Sequence, residues 1–287
     1  MNMDFKKFAD LIMIEQTTFA LPFAYIGILF AGGGSLSQWL WATVALVAAR
    51  TAGMSFNRVL DAGIDAENPR TADRLIPRGE VSRFSVWSMG IGFSVMLIFA
   101  AYMLNTLVFH LSFAAVAMLF SYSLFKRFSS TSHFYLGMVE AAAPIGGYLA
   151  VTGSFEMLAF LPGAAIFFWI AGVDILYAVQ DIEFDKSRGL HSIPVRIGKE
   201  RSLTLSAFCY TLSIAALIFA GYAGDMTSLY WISLIAVAGI FLRQQGLAQR
   251  DSTPYEDRIK QVFAINRFVS PAIFIGTLAD VLARLYL

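Results

Sequence analysis

Two short acidic stretches hold the residues most able to do chemistry. Asn57, Asp61 and Asp65 recur at four-residue spacing, and Asp181 and Asp185 repeat that spacing 120 residues further on. On a helix this spacing puts the carboxylates on one face, where like charges repel by roughly 0.2–0.5 kcal/mol. Four of only 20 acidic residues placed this way predict a site that holds cations. Each pair leads into a basic polar stretch. The first contains Arg70, Arg74 and Arg78, and the second Lys186, Arg188 and Arg196. Mg²⁺ takes one or two carboxylates together with phosphate and water oxygens. Arginine forks the remaining phosphate oxygens. Carboxylates beside Arg and Lys therefore point to a magnesium–phosphate ligand. Either pair alone reads more readily as solvated loop charge; the duplication, the placement of both pairs on one side and the basic neighbours favour the site.

Deeper ionisable groups line up with these pairs. Arg50 lies seven residues before Asn57, and Asp174 seven before Asp181, so each shares a helix face with its pair one level further in. A charge inside a bilayer costs about 2.5–3.5 kcal/mol on insertion scales and faces a cavity or a partner. Arg50 and Asp174 are thus expected either to handle a polar acceptor or to lock two helices as an ion pair. Lys126, after Tyr122, sits where ordinary positive-inside anchoring also places basic residues. Glu15 and Glu140 are weaker candidates, the latter near a backbone break expected at Pro144 and Gly146–Gly147. His110, His133 and His191 are scattered and form no ligand cluster, and Cys209 lies alone in an apolar run.

The elements that must position these groups are membrane helices. Of 287 residues, 57% are hydrophobic and 14% charged, against about 25% charged in soluble domains. A net charge of +1 gives no signal for nucleic acid. Nine apolar stretches are predicted to span: roughly 12–31, 37–57, 84–104, 107–125, 134–152, 157–180, 203–223, 227–243 and 265–285. The N-terminus and the alternate connections, counted with Arg243 and Arg267 at the helix ends, hold 19 of the 21 Lys and Arg residues, and the opposite connections hold none. Basic residues mark the cytoplasmic side. The expected fold is all-α and polytopic, with nine transmembrane helices, a cytoplasmic N-terminus and both acidic pairs on the cytoplasmic face. A single domain over 1–287 is expected, built as a coarse repeat of 1–133 and 134–287. Segment 247–262 reads either as an interfacial amphipathic helix or as a plain loop.

These motifs resemble those of the UbiA superfamily of intramembrane prenyltransferases. The family's first signature, N-D/R-x-x-D-x-x-x-D, is similar to Asn57-Arg58-Val59-Leu60-Asp61-Ala62-Gly63-Ile64-Asp65. Its R-T-x-x-R-P-L-P-x-G run is similar to the stretch from Arg70 to Gly79, with Ile76 in place of the common proline. Its second signature, D-x-x-Y-A-x-x-D-x-x-x-D, matches Asp174, Tyr177, Ala178, Asp181 and Asp185. Arg58 stands where many members carry Asp, which leaves the first motif one carboxylate short.

The resemblance implies a helical bundle around a central cavity that binds a polyprenyl diphosphate through Mg²⁺. By that likeness Asp61, Asp65, Asp181 and Asp185 hold the metal. Asn57, Arg58, Arg70, Arg74, Lys126 and Tyr122 bind the diphosphate. Arg50 meets the acceptor's carboxylate, and Asp174, with Tyr177 beside it in the signature, orients or deprotonates the acceptor. The residues suit such chemistry independently. An allylic diphosphate ionises when charge on the leaving group is neutralised by metal and cationic clamps, and an intramembrane site keeps the cation from water. The expected reaction is transfer of a polyprenyl chain to an aromatic acid such as 4-hydroxybenzoate, in ubiquinone or menaquinone synthesis. The site is expected to face the cytoplasm from a bacterial-type inner membrane, in contact with membrane lipid. The run Gly189-Leu190-His191-Ser192-Ile193-Pro194 resembles the branch acting on a futalosine-route menaquinone precursor. A different class, a divalent-cation or proton-coupled transporter, also accounts for paired Asp and buried charge. It predicts acidic groups at the midplane on broken helices, rather than at helix ends beside basic loops.

Overall fold

A computed structural model describes residues 5–250 and 253–286, the side chains of residues 15–18, 285 and 286 excepted. Glu15 thus lies outside the described side chains. The described residues form helices, turns and loops and contain no strand. The helices are α1 (Phe5–Ile12), α2 (Ile14–Phe30), α3 (Leu36–Leu60), α4 (Ala62–Glu67), α5 (Arg83–Leu104), α6 (Thr106–Phe125) and α7 (Ser132–Thr152). They continue with α8 (Met157–Ala178), α9 (Ile182–Ser187), α10 (Ile193–Ile197), α11 (Lys199–Ala223), α12 (Ser228–Gln249), α13 (Tyr255–Asn266) and α14 (Val269–Tyr286). A 3₁₀ turn, Val179–Asp181, joins α8 to α9.

Each predicted apolar stretch coincides with one long helix. Among the described residues, seven helical segments are long and apolar enough to cross a membrane. The two long helices outside that set have visible reasons. Helix α2 is 17 residues long and its described apolar stretch is the shorter Phe19–Phe30; Met13, with a positive φ of 50°, separates it from α1. Helix α3 has 25 residues but carries Arg50 and Asn57. Large apolar side chains such as Ile91, Val95 and Phe99 on α5 are exposed at four-residue spacing, as a lipid-facing stripe requires. The chain is an integral membrane protein. Of the 247–262 segment, the described residues include the end of α12 and the start of α13. Helix α13 buries Arg258, Ile259, Val262 and Asn266 on one face.

The chain forms two compact units, Met1–Leu21 with Leu36–Leu124, and Pro22–Ser35 with Phe125–Leu287. In the first, α3 packs on α5, with Gly90 leaving room for the Phe56 ring. An apolar cluster of Leu11, Ile12, Val59, Ala62, Ile76, Val81 and Val86 ties α1, the end of α3 and the following loop together. The basic loop after the first acidic pair is therefore anchored at both ends by buried side chains.

In the second unit α8 packs against α7 and α11, and the backbone carbonyls of Gly172 and Ala165 accept hydrogen bonds from Ser206 and Ser213 of α11 at 2.8 Å. The expected backbone break in α7 is absent. The helix runs unbroken from Ser132 to Thr152 through Pro144. Its Pro and Gly residues serve a close crossing instead. A Cβ on Gly147 would collide with the carbonyl oxygen of Ala24, and one on Gly27 with that of Pro144. The contact is backbone against backbone, as small residues permit in membranes. Gly147→Ala is expected to destabilise the protein by about 1–3 kcal/mol, the usual cost of forcing bulk into a packed site. Thermal unfolding in detergent should show this as a lower midpoint.

Candidate active site

In the first unit, α3 ends at the acidic motif without straying far from a helical path. Asp61 leaves helical geometry (φ −92°, ψ 1°) to become the N-cap of α4, yet its N–H still bonds Asn57 O at 2.9 Å and Asp65 N–H bonds Asp61 O at 2.8 Å. The predicted i, i+4, i+8 stripe therefore survives a one-residue break. Asn57 Nδ2 donates to Asp61 Oδ2 at 2.9 Å and to Ser123 Oγ on α6 at 3.2 Å. Asn57 thus holds the first carboxylate in place. Tyr122 precedes Ser123 at the same end of α6.

The loop after α4 turns back on the second carboxylate. Asn68 is extended (φ −91°, ψ 118°), as the residue before a proline prefers. Its side-chain oxygen accepts from Arg70 N–H at 3.0 Å. Buried Thr71 donates through Oγ1 to Asp65 O at 3.0 Å. These bonds fold the Asn-Pro-Arg-Thr stretch into turns, and Arg74 returns to grip Asp65: its Nη1 lies 2.7 Å from both carboxylate oxygens. Asp65 is buried, so its charge requires this partner. Arg70 is exposed on the same loop. Arg58 is different. It is buried, with Nε donating to Leu11 O at 3.3 Å, and so joins α3 to α1. Arg50 is half-buried on α3, two turns (about 10 Å) deeper than Asn57.

The second unit repeats the plan with different parts. Helix α8 tightens into the 3₁₀ turn at Val179–Asp181, and Asp181 caps α9. Asp181 and Asp185 are both buried. Lys126 Nζ lies 3.0 Å from both carboxylate oxygens of Asp185. A Lys at the end of α6 is thus more than a membrane anchor. Gly189 has a φ of +63°, the left-handed cap that ends α9. Leu190 N–H bonds Asp185 O at 2.8 Å, and Gly189 N–H bonds Lys186 O at 3.3 Å, the paired pattern of a Schellman turn. The turn sends His191 N–H to Lys126 O at 2.8 Å. The carboxylate, its cation and the following loop are fastened together.

Two turns before Asp181 on α8, Asp174 meets a residue set aside in the sequence. His133, at the start of α7, lies with Nδ1 2.7 Å from Asp174 Oδ2. His133 is buried, whereas a quarter of the Asp174 side chain remains exposed (26%). Tyr177 stacks edge-on against Phe263 with ring centroids 5.2 Å apart, and Tyr255 donates to Leu176 O at 2.8 Å. Helix α13 therefore braces the end of α8. Glu140 is half-buried on α7. A lone His on an apolar helix carries little signal; its position at the basic end of α7, level with Asp174, was the available clue.

The donor set can be tested against Mg²⁺. Each unit offers two motif carboxylates, hard oxygen donors, and among the described residues no group of three or more His, Cys, Asp or Glu is gathered together. Carboxylate oxygens are donors that fit Mg²⁺, which also takes phosphate and water oxygens, better than Zn²⁺, whose structural sites favour nitrogen and sulfur.

Comparison with known proteins agrees. Residues 20–267 match the UbiA prenyltransferase family. A 4-hydroxybenzoate octaprenyltransferase of Pectobacterium carotovorum subsp. carotovorum (strain PC1) is 30% identical over 279 residues, covering 95% of this chain and 92% of the relative. The apo structure of a UbiA homolog from Aeropyrum pernix K1 superposes with a TM-score of 0.86 at 32% identity, over 93% of this chain and 98% of that one. A UbiA homolog from Archaeoglobus fulgidus, solved bound to GPP and Mg²⁺, shares the fold with a TM-score of 0.67 at 18% identity, over 96% of this chain and 99% of that one. A family match and relatives that span nearly the whole chain decide between the enzyme and the transporter: this chain belongs to the UbiA prenyltransferase family.

Proposed function

We propose that this protein transfers a polyprenyl chain from an allylic polyprenyl diphosphate to an aromatic acid, with 4-hydroxybenzoate as the leading acceptor. The observation that carries the reading is the repeated pairing of a buried motif carboxylate with a cation from its own unit, Arg74 on Asp65 and Lys126 on Asp185. Such pairs are ready to exchange partners. Asp61, Asp65, Asp181 and Asp185 would hold Mg²⁺, while Arg74, Lys126 and the exposed Arg70 would take phosphate oxygens. Asn57 fixes Asp61, and Tyr122 lies close by in sequence to Asn57's partner Ser123. Arg58 serves the motif from behind, by holding α3 against α1. When bound, the metal neutralises charge building on the departing diphosphate. The Archaeoglobus homolog solved with GPP and Mg²⁺ supports the donor and the metal, and the 4-hydroxybenzoate octaprenyltransferase relative supports the acceptor.

In the reaction, the bond between the allylic carbon and the diphosphate oxygen breaks, and a carbon–carbon bond forms at the ring. Diphosphate and the displaced ring proton leave. The ring is electron-rich enough when its phenol proton is drawn off or held. Asp174, partly exposed beside His133, suits that task; Tyr177 lies one turn along. Arg50 suits the acceptor's carboxylate. Both acidic motifs would face the cytoplasm of a bacterial inner membrane, with the N-terminus on that side and nine spans in all, as the distribution of Lys and Arg supports.

Arg50→Ala is expected to raise the KM for the aromatic acid about 10- to 100-fold, the worth of a charge-assisted hydrogen bond. The KM for the prenyl diphosphate should change little. Steady-state kinetics with each substrate varied checks this; an equal rise in both constants would make Arg50 a structural residue. The reading as a whole is tested by incubating purified protein with labelled polyprenyl diphosphate, 4-hydroxybenzoate and Mg²⁺, with and without a chelator. Label should enter the aromatic acid only with the metal present.

A further inference from the structure

His133 makes two hydrogen bonds whose donors can be assigned without ambiguity. A backbone N–H only donates, and Ile193 N–H points at His133 Nε2 at 3.3 Å. Nε2 must therefore be the bare, accepting nitrogen, and the imidazole carries its proton on Nδ1. Nδ1 lies 2.7 Å from Asp174 Oδ2 and donates that proton to it. His133 thus donates to the carboxylate through Nδ1, with its tautomer set by the backbone of the loop after the second acidic motif. The packing reinforces this. Ile193 buries its side chain with Ile175 and Phe134, the residues that follow Asp174 and His133 in sequence. Ile193 is therefore wedged between the two helices at the level of the pair. His133 is 2% exposed, too buried to meet a substrate, while Asp174 is not.

We infer that His133 is the positioning residue for Asp174. It occupies one carboxylate oxygen, leaves Oδ1 to face the acceptor, and ties the orientation of Asp174 to the Leu190–Ile193 strap. The same strap is fixed to the Lys126–Asp185 pair through Leu190 and His191. This inference rests on the acceptor-handling role proposed for Asp174. It resembles in logic a base held by a third group, with the order reversed: here the imidazole orients the carboxylate.

The two side-chain amides separate the two bonds of His133. Asn places its amide nitrogen where Nδ1 stands and can donate to Asp174. Gln places its terminal oxygen or nitrogen near Nε2 and can serve only Ile193. His133→Ala is expected to lower kcat with 4-hydroxybenzoate by about 10- to 100-fold, the usual effect of removing a group that orients a reacting residue. The KM for the prenyl diphosphate should stay within a few-fold. His133→Asn should recover most of the lost rate and His133→Gln none of it. His133→Ala combined with Asp174→Asn should be no slower than Asp174→Asn alone. Recovery by Gln and not by Asn would overturn the inference and make His133 a support for the loop. So would wild-type rates in all three His133 variants alongside a slow Asp174→Asn. If Asp174→Asn itself runs at the wild-type rate, the role of Asp174 falls, and the inference with it. Should His133→Ala fail to fold, the contrast between Asn and Gln still decides.

Discussion

Alanine at Asp61 or at Asp181 should cut prenyl transfer by about 10³-fold, the scale seen when a group stabilising developing charge is lost. Each sits at the turn where a long helix gives way to a short one, α3 to α4 and α8 to α9. The local helices do not depend on their carboxylates, since neither makes a side-chain cap bond there. Thermal unfolding in detergent separates lost chemistry from lost fold, which matters most for the buried Asp181. Asp65 and Asp185 are poorer test sites. Each is buried with a cation on it, and removing one member of such a pair costs about 3–5 kcal/mol, so lost activity there would be confounded by lost stability. Wild-type turnover in both the Asp61 and Asp181 variants would remove the metal assignment.

Asp174→Asn should lower kcat by about 10²- to 10⁴-fold, the range for losing a positioned general base. The substitution keeps shape and can still bond His133 once the amide turns its oxygen toward Nδ1–H. Stability should hold, and the KM for the prenyl diphosphate should too, because Asp174 lies a full two helical turns from Asp181 in the sequence. Steady-state kinetics with donor and acceptor varied in turn separates the outcomes. An Asn variant with normal kcat and weakened donor binding would assign Asp174 to the diphosphate instead.

Much of this site was legible before any coordinates. The four-residue spacing of Asp61, Asp65, Asp181 and Asp185 and the basic loops after them need only helix geometry and charge to be noticed. The long helices follow from apolar length. What stayed hidden depends on which helices touch. His133 and Asp174 are 41 residues apart, and Asn57 and Ser123 are 66 apart. Nothing local announces either contact. Pro144 misled for a related reason. Proline in a helix reads as a break, but α7 continues through it because close packing against α2 supports the helix there. Lys126 carried two readings, membrane anchor or ligand, until Asp185 was found beneath it.

The most direct test of the account reconstitutes the protein in lipid vesicles with a labelled polyprenyl diphosphate, Mg²⁺ and 4-hydroxybenzoate, and follows both released diphosphate and prenylated acid. The account predicts one diphosphate released for each aromatic acid prenylated, with both products lost when Mg²⁺ is chelated. Folded protein that prenylates no aromatic acid, or that turns over equally well with Mg²⁺ removed, would contradict it.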